Sequence, residues 1–238
     1  MPFFYAMDPW YLVCFGVAMV LSLGAQWMVK SAFNKYSRYG NTRIMSGAEA
    51  ARMMLSAEGI SNVEIRRYEG GWLSDHYNPA NNVINLSPDV YDGRSVAAVG
   101  IACHEAGHAL QHASGYAPLK LRNMVVPTAN LGSALGVPLI IIGMLLGSLG
   151  LAKIGLALFS LIFIFQLLTL PVELNASARS KQALVHNGIV APGEETRGVS
   201  AVLNAAAMTY IAAAVGTLLT LLYYAYRLGL LGGNRSRD

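Results

Sequence analysis

Long apolar runs alternate with shorter polar stretches along this chain, and the periodicity within each block predicts its elements. Residues 10–29 are apolar over about the length that crosses a bilayer. They follow no basic segment and precede no small-residue cleavage site, so they read as a retained anchor rather than a signal peptide. In 42–59, Ser46 and Glu49 form an S-x-x-E capping box, good helix formers follow, and Gly59 suits the C-terminal cap. Residues 63–68 (VEIRRY) alternate as a strand does, and Gly70 and Gly71 turn the chain. Residues 72–77 and 83–86 predict two further strands, joined into a hairpin by the turn formers of 78–82 (NPANN). Ser87 or Asp89 caps a short helical turn, and 95–113 (SVAAVGIACHEAGHALQHA) reads as one helix.

Residues 124–149 and 154–170 are apolar again and predict a tight membrane hairpin, its first arm kinked at Pro127 and Pro138. A separate polar, amphipathic helix is predicted over 172–185, ending at His186-Asn187-Gly188. Residues 191–200 read as a loop containing Arg197, 201–226 as the last apolar run, and 229–238 as a tail. The expected fold is therefore an α+β membrane protein. It is mostly helical, with about four membrane helices and a small αβ domain that contains a β-hairpin. The expected divisions are an anchor (1–30), the αβ domain (31–123), a transmembrane hairpin (124–172), a helix and loop (173–200), and a last membrane helix with its tail (201–238).

Composition sharpens this picture. Of 238 residues, 54% are hydrophobic and 13% charged, against about 25% charged in soluble domains. The imbalance is concentrated in the four runs, which places the chain in a bilayer. A net charge of +4 with interleaved signs and no basic stripe excludes nucleic acid as a partner. Two cysteines, Cys14 and Cys103, make no disulfide framework, and each reads as a small apolar residue.

The chemistry gathers in His104-Glu105-Ala106-Gly107-His108. Residues four apart share one face of a helix, so His104 and His108 offer imidazole nitrogens to a single zinc ion, with Glu105 beside it as general base. A small sheet next to such a helix is the zincin layout, in which an extended peptide lies along a strand edge; Leu73, Ser74, Asp75, His76 and Tyr77 are the candidate residues of that edge. A catalytic zinc needs a third protein ligand. His112 lies about 12 Å from His104 along the axis, too far to share the ion. Glu173 is the better candidate, because a carboxylate at the mouth of a membrane helix is costly unless paired or bound to metal, and a hairpin returns it to the side of His104. Asp75, His76, His186, Glu194 and Glu195 are the alternatives. A donor for the oxyanion, or a group orienting the ligands, is sought among His112, His76, Tyr77, Asn175, Ser177, Arg179, His186 and Tyr210. Asn204 reads as a hydrogen-bonding partner for a neighbouring helix.

Several segments resemble one family: Trp72-Leu73-Ser74-Asp75-His76-Tyr77, Leu86-Ser87-Pro88, Tyr91-Asp92-Gly93-Arg94-Ser95, 104–112 (HEAGHALQH), Pro171-Val172-Glu173-Leu174-Asn175-Ala176-Ser177, and Leu203-Asn204-Ala205-Ala206 with Thr209-Tyr210. In these the chain is similar to the YugP-type neutral zinc metallopeptidases of bacterial membranes, over nearly its whole length. The resemblance implies a membrane metallopeptidase of the gluzincin kind, with one zinc per chain and Glu173 as third ligand. The expected partner is a peptide or membrane-protein substrate, which the resemblance itself does not name. Where related peptidases often carry an Asp near the ligand Glu, this chain has Asn175 and Ser177.

Charge predicts the orientation. Of the 17 Lys and Arg, only Lys153, Arg227, Arg235 and Arg237 fall on the side away from the motif if all four runs cross. The bias puts the site on the cytoplasmic side of a bacterial plasma membrane. Two rival readings stand beside a zinc endopeptidase. An intramembrane protease is disfavoured by the polar 89–95 segment before the metal helix and by the lack of an L-D-G run. A non-catalytic membrane scaffold with a structural or degenerate zinc site has no use for Glu105. Oligomerisation or a membrane partner is compatible with each reading.

Overall fold

The structure, a computed structural model, describes residues 8–71 and 74–231. Its elements in order are α1 (Pro9–Tyr36), α2 (Gly47–Ala57), β1 (Glu64–Arg67), β2 (His76–Asn78), β3 (Val83–Leu86), α3 (Pro88–Tyr91), α4 (Val96–Ala113), α5 (Ala117–Leu145), α6 (Leu149–His186) and α7 (Glu194–Arg227). They fall into two compact units: Met1–Ala25 with Lys120–Leu170 and Thr209–Asp238, and Gln26–Leu119 with Pro171–Met208. Helices α1, α5, α6 and α7 are each long and apolar enough to cross a membrane, so the mostly helical membrane fold with a small sheet is as expected.

In the first unit α5 and α6 approach through small residues. A Cβ added at Gly155 would lie 2.5 Å from the Ile140 backbone nitrogen, and one at Gly132 would lie 2.3 Å from the Leu158 carbonyl oxygen. Such close approach is how helices associate where lipid removes the hydrophobic drive. Asp8 accepts a hydrogen bond from Tyr223 and, at 2.9 Å, pairs with Arg227. That pair neutralises one of the four cations on the minority side of the charge count.

The second unit is built on α4. The Ser46 and Glu49 capping box is formed in both directions, with Ser46 N–H donating to Glu49 at 2.7 Å and Glu49 N–H to Ser46 at 3.2 Å. Gly59 takes φ +74° just past the helix end, where only glycine avoids a Cβ penalty. The sheet order is β1-β3-β2, with β1 parallel and β2 antiparallel to β3. Central β3 buries Val83, Ile84 and Leu86, and the last two join Met54 and Leu55 of α2, Val99, Ala102 and Ala106 of α4, Leu184 of α6 and Val199 of α7 in one core. α4 and α6 nearly touch: a Cβ on Gly107 would lie 2.6 Å from the Ala176 carbonyl oxygen.

The structure corrects three element boundaries. The strand expected over 72–77 begins only at His76, and Trp72 and Leu73 lie outside the described residues. Asp75 instead accepts from the backbone N–H and the hydroxyl of Ser87 at 2.7 and 3.0 Å, which draws 74–75 off the ladder and leaves the Ser87 hydroxyl no part in capping α3. The polar helix expected over 172–185 is not separate. α6 runs unbroken through Pro171, and the change in composition there marks a change of surroundings: Val172, Ala176, Ala183 and Leu184 are buried. Finally, 194–200 is helix rather than loop. Glu195 accepts from the N–H groups of Ala191 and Thr42 at 2.8 and 2.7 Å and starts α7 with a carboxylate on its positive end.

Candidate metal centre

Local helical geometry and one long-range contact make the site, all within the second unit. The α4 spacing sets the His104 and His108 rings 4.8 Å apart, edge to face. α6 then presents Glu173, whose Oε2 lies 3.2 Å from His104 Nε2 and 3.4 Å from His108 Nε2. One ligand atom from each of the three lies within 4.8 Å of the others. Glu173 is only 4% exposed, a burial that costs several kcal/mol for an unpaired carboxylate.

The hydrogen-bond network holds both rings from their far side. Gln111 is fully buried, and its amide group donates to the Val172 carbonyl at 2.7 Å and to Asn175 Oδ1 at 3.0 Å. Its Oε1 is therefore the acceptor facing His108 Nδ1 at 3.0 Å, so Nδ1 bears the hydrogen and Nε2 a lone pair. Ser177 Oγ lies 3.2 Å from His104 Nδ1 and orients that ring from its other nitrogen. Two imidazole Nε2 atoms and a carboxylate oxygen then converge on one point. Such a set favours a cation among its members, and two His and a Glu match the donors zinc takes. Burial alone would depress the His108 pKa, but the Glu173 and Glu105 carboxylates outweigh it and hold it above the usual imidazole value. The site is an electronegative one that favours positive charge.

Glu105 stands beside this cluster, 8% exposed. Its Oε2 accepts the Tyr77 backbone N–H at 2.9 Å, and among the described residues nothing donates to Oε1. β2 pairs with β3 on one side only, so this bond lies on its open edge. Asp75, just before β2, has its carboxyl pKa raised by burial and further by the Glu105 charge.

The other candidates occupy distinct places. His112 Nδ1 lies 2.8 Å from the Tyr77 hydroxyl, which also donates to Asn82 at 2.9 Å. Asn175 accepts from Arg179 at 2.8 Å as well as from Gln111, while Arg179 also donates to Ser114 and lies over the Tyr116 ring. His76 is exposed, packs edge-on against Tyr68 and sits 2.7 Å from the Ser74 carbonyl oxygen. Among the described residues, the alternative ligands Asp75, His76, His186, Glu194 and Glu195 do not join the cluster. Glu194 pairs with Arg197, and Glu195 accepts from the Ala191 and Thr42 N–H groups. Tyr210 belongs to the other unit, Leu73 is outside the described residues, and Ser74 bonds back to the Gly71 carbonyl. Lys181 donates to Asn204 at 3.4 Å, the interhelical bond expected of that residue.

Gln111 was not foreseen in the sequence. Its signal is the spacing: i+3 from His108 brings its amide over that ring's Nδ1. Gln111→Leu keeps the volume but removes both the acceptor for His108 and the donor to α6. Zinc titration is expected to show affinity lower by about 10–100-fold. An unchanged affinity would mean that the amide only fills space.

The comparisons with known proteins agree with this geometry. A family model described as "Putative neutral zinc metallopeptidase" matches residues 11–229. The chain is 47% identical over 207 residues, 87% of its length, to a Bacillus subtilis (strain 168) protein named "Putative membrane protease YugP", of which the match covers 91%. No solved structure matches. With nearly the whole chain inside the family model and His104, His108 and Glu173 placed to hold a metal ion, this chain belongs to the neutral zinc metallopeptidase family.

Proposed function

We propose that the protein is a membrane-embedded zinc endopeptidase that cuts membrane or membrane-proximal proteins. In this reading His104, His108 and Glu173 hold the ion and Glu105 is the general base. The observation that carries it is the convergence of three metal-ligating atoms, from His104, His108 and Glu173, beside a buried carboxylate, one of whose oxygens has no donor among the described residues. Zinc in such a site supplies Lewis acidity, polarising a carbonyl and acidifying water. The chain's own residues supply the rest. Gln111 and Ser177 hold the Nδ1 side of the two rings, which turns both Nε2 atoms toward Glu173. The Tyr77 N–H pins Glu105 Oε2, so Oε1 is the atom that takes a proton from water and returns it to the leaving amine. The open edge of β2 is where an extended substrate strand aligns.

The detergent-purified, zinc-loaded protein should cleave unfolded membrane-protein fragments. Cleavage should stop on chelation and return with zinc. Fragments that stay intact with zinc bound would overturn the reading.

The same reading places the site on the cytoplasmic side, supported by the Lys and Arg bias. A reporter fused after Gly59 is expected to behave as cytoplasmic. Export of that reporter would reverse the orientation.

A further inference from the structure

A cavity of about 170 Å³ lies beside the site, sharing Tyr77, whose backbone N–H bonds Glu105. Ile60, Val63 and Ala113 give it apolar walls, and the Tyr77 hydroxyl, Asn82 and His112 give it a polar edge. No charged side chain lines it. The volume is below the about 300–1,000 Å³ of sites that enclose whole small ligands, so it is room for one side chain.

Its position relative to the chemistry follows from the helix. Ala109 and Ala113, both in the cavity wall, lie one and two turns past Glu105 on the same face of α4, about 6 and 12 Å along the axis. An extended chain advances about 3.3 Å per residue, so a substrate reacting at Glu105 reaches the cavity two to four residues from the scissile bond. Tyr77 ties the two places together, its backbone N–H on Glu105 and its phenol in the cavity wall. The phenol is not free to swing away. It donates to Asn82 and meets His112 Nδ1, so the wall is held in shape before any ligand arrives.

Resting on the endopeptidase reading, we infer that this cavity is a specificity pocket for one uncharged, medium-sized substrate side chain of the Leu, Met or Gln class. The apolar walls bind the stem, and the Tyr77–Asn82–His112 group accepts or donates to a neutral polar tip. A charged side chain there would lose water without gaining a counter-charge.

The test is a peptide library randomised around the cut, offered to zinc-loaded wild type, Ala113→Trp and Val63→Ala. Ala113 is exposed at the end of α4, so a larger residue there closes the mouth without entering the core. Wild type is expected to favour Leu, Met or Gln over Asp, Glu, Lys and Gly at one position by about 10-fold or more. Ala113→Trp should move that preference to Gly, Ala and Ser with zinc content unchanged, and Val63→Ala should admit Phe and Tyr. Identical profiles in the three proteins would overturn the pocket. A wild type that cuts nothing would sink the endopeptidase reading instead. The library is then scored by retention on immobilised Glu105→Gln protein with and without Ala113→Trp. Retention of the same uncharged class, lost on closing the mouth, supports the pocket, and indiscriminate or absent retention overturns it.

Discussion

Glu105→Gln is expected to lower turnover by about 10²–10⁴-fold while leaving about one zinc per chain. The substitution is nearly isosteric, and the Gln carbonyl oxygen still accepts the Tyr77 N–H that Oε2 accepts now. What is lost is the basic oxygen beside it, because an amide cannot take a proton from water at neutral pH. Metal analysis and peptide cleavage on the same preparation separate the two effects. Zinc kept with turnover gone is the mark of a general base. Zinc kept with turnover unchanged would remove Glu105 from the chemistry and favour a scaffold with a structural ion, since such a site has no need of this carboxylate.

The second large effect is expected at Glu173. Glu173→Ala removes the one charged donor of the cluster and should weaken zinc by more than about 100-fold, beyond what loss of an orienting partner does. Thermal melts give an independent readout. An ion that binds only the folded protein raises its melting temperature by mass action, so zinc should stabilise wild type and leave the variant unmoved. Full zinc retention in Glu173→Ala would return the third-ligand question to other carboxylates and histidines. None of the alternatives among the described residues lies within reach of His104 and His108.

These two residues differ in how far each was readable before the fold was seen. His104, Glu105 and His108 are local: a helix of any origin puts i and i+4 on one face, so their partnership follows from spacing alone. Glu173 lies 69 residues from His104 in the chain, and the reason to choose it was the cost of a carboxylate at a membrane helix mouth. That argument needed α6 to return toward α4 but was silent on how closely. The approach is set by Gly107, which lets the Ala176 carbonyl within a distance no side chain would allow.

The sequence by itself determined what depends on neighbours in the chain: the four apolar runs, the Ser46–Glu49 capping box, the turn at Gly59 and the helical frame of the metal motif. Each is a contest among bonds only a few residues apart, and residue type decides it. Tertiary structure decided what composition cannot report. Pro171 looked like a boundary, yet α6 runs through it unbroken and buries Val172, Ala176 and Leu184 beyond it. Ser74 and Asp75 looked like strand, yet the demand of Ser87 for an acceptor ended β2 at His76. Gln111 looked like one more polar helix residue until α6 supplied the Val172 carbonyl and Asn175 that fix its amide and, through it, the His108 ring. Buried polar groups must be paired, and where the partner is distant in sequence only the folded chain selects it.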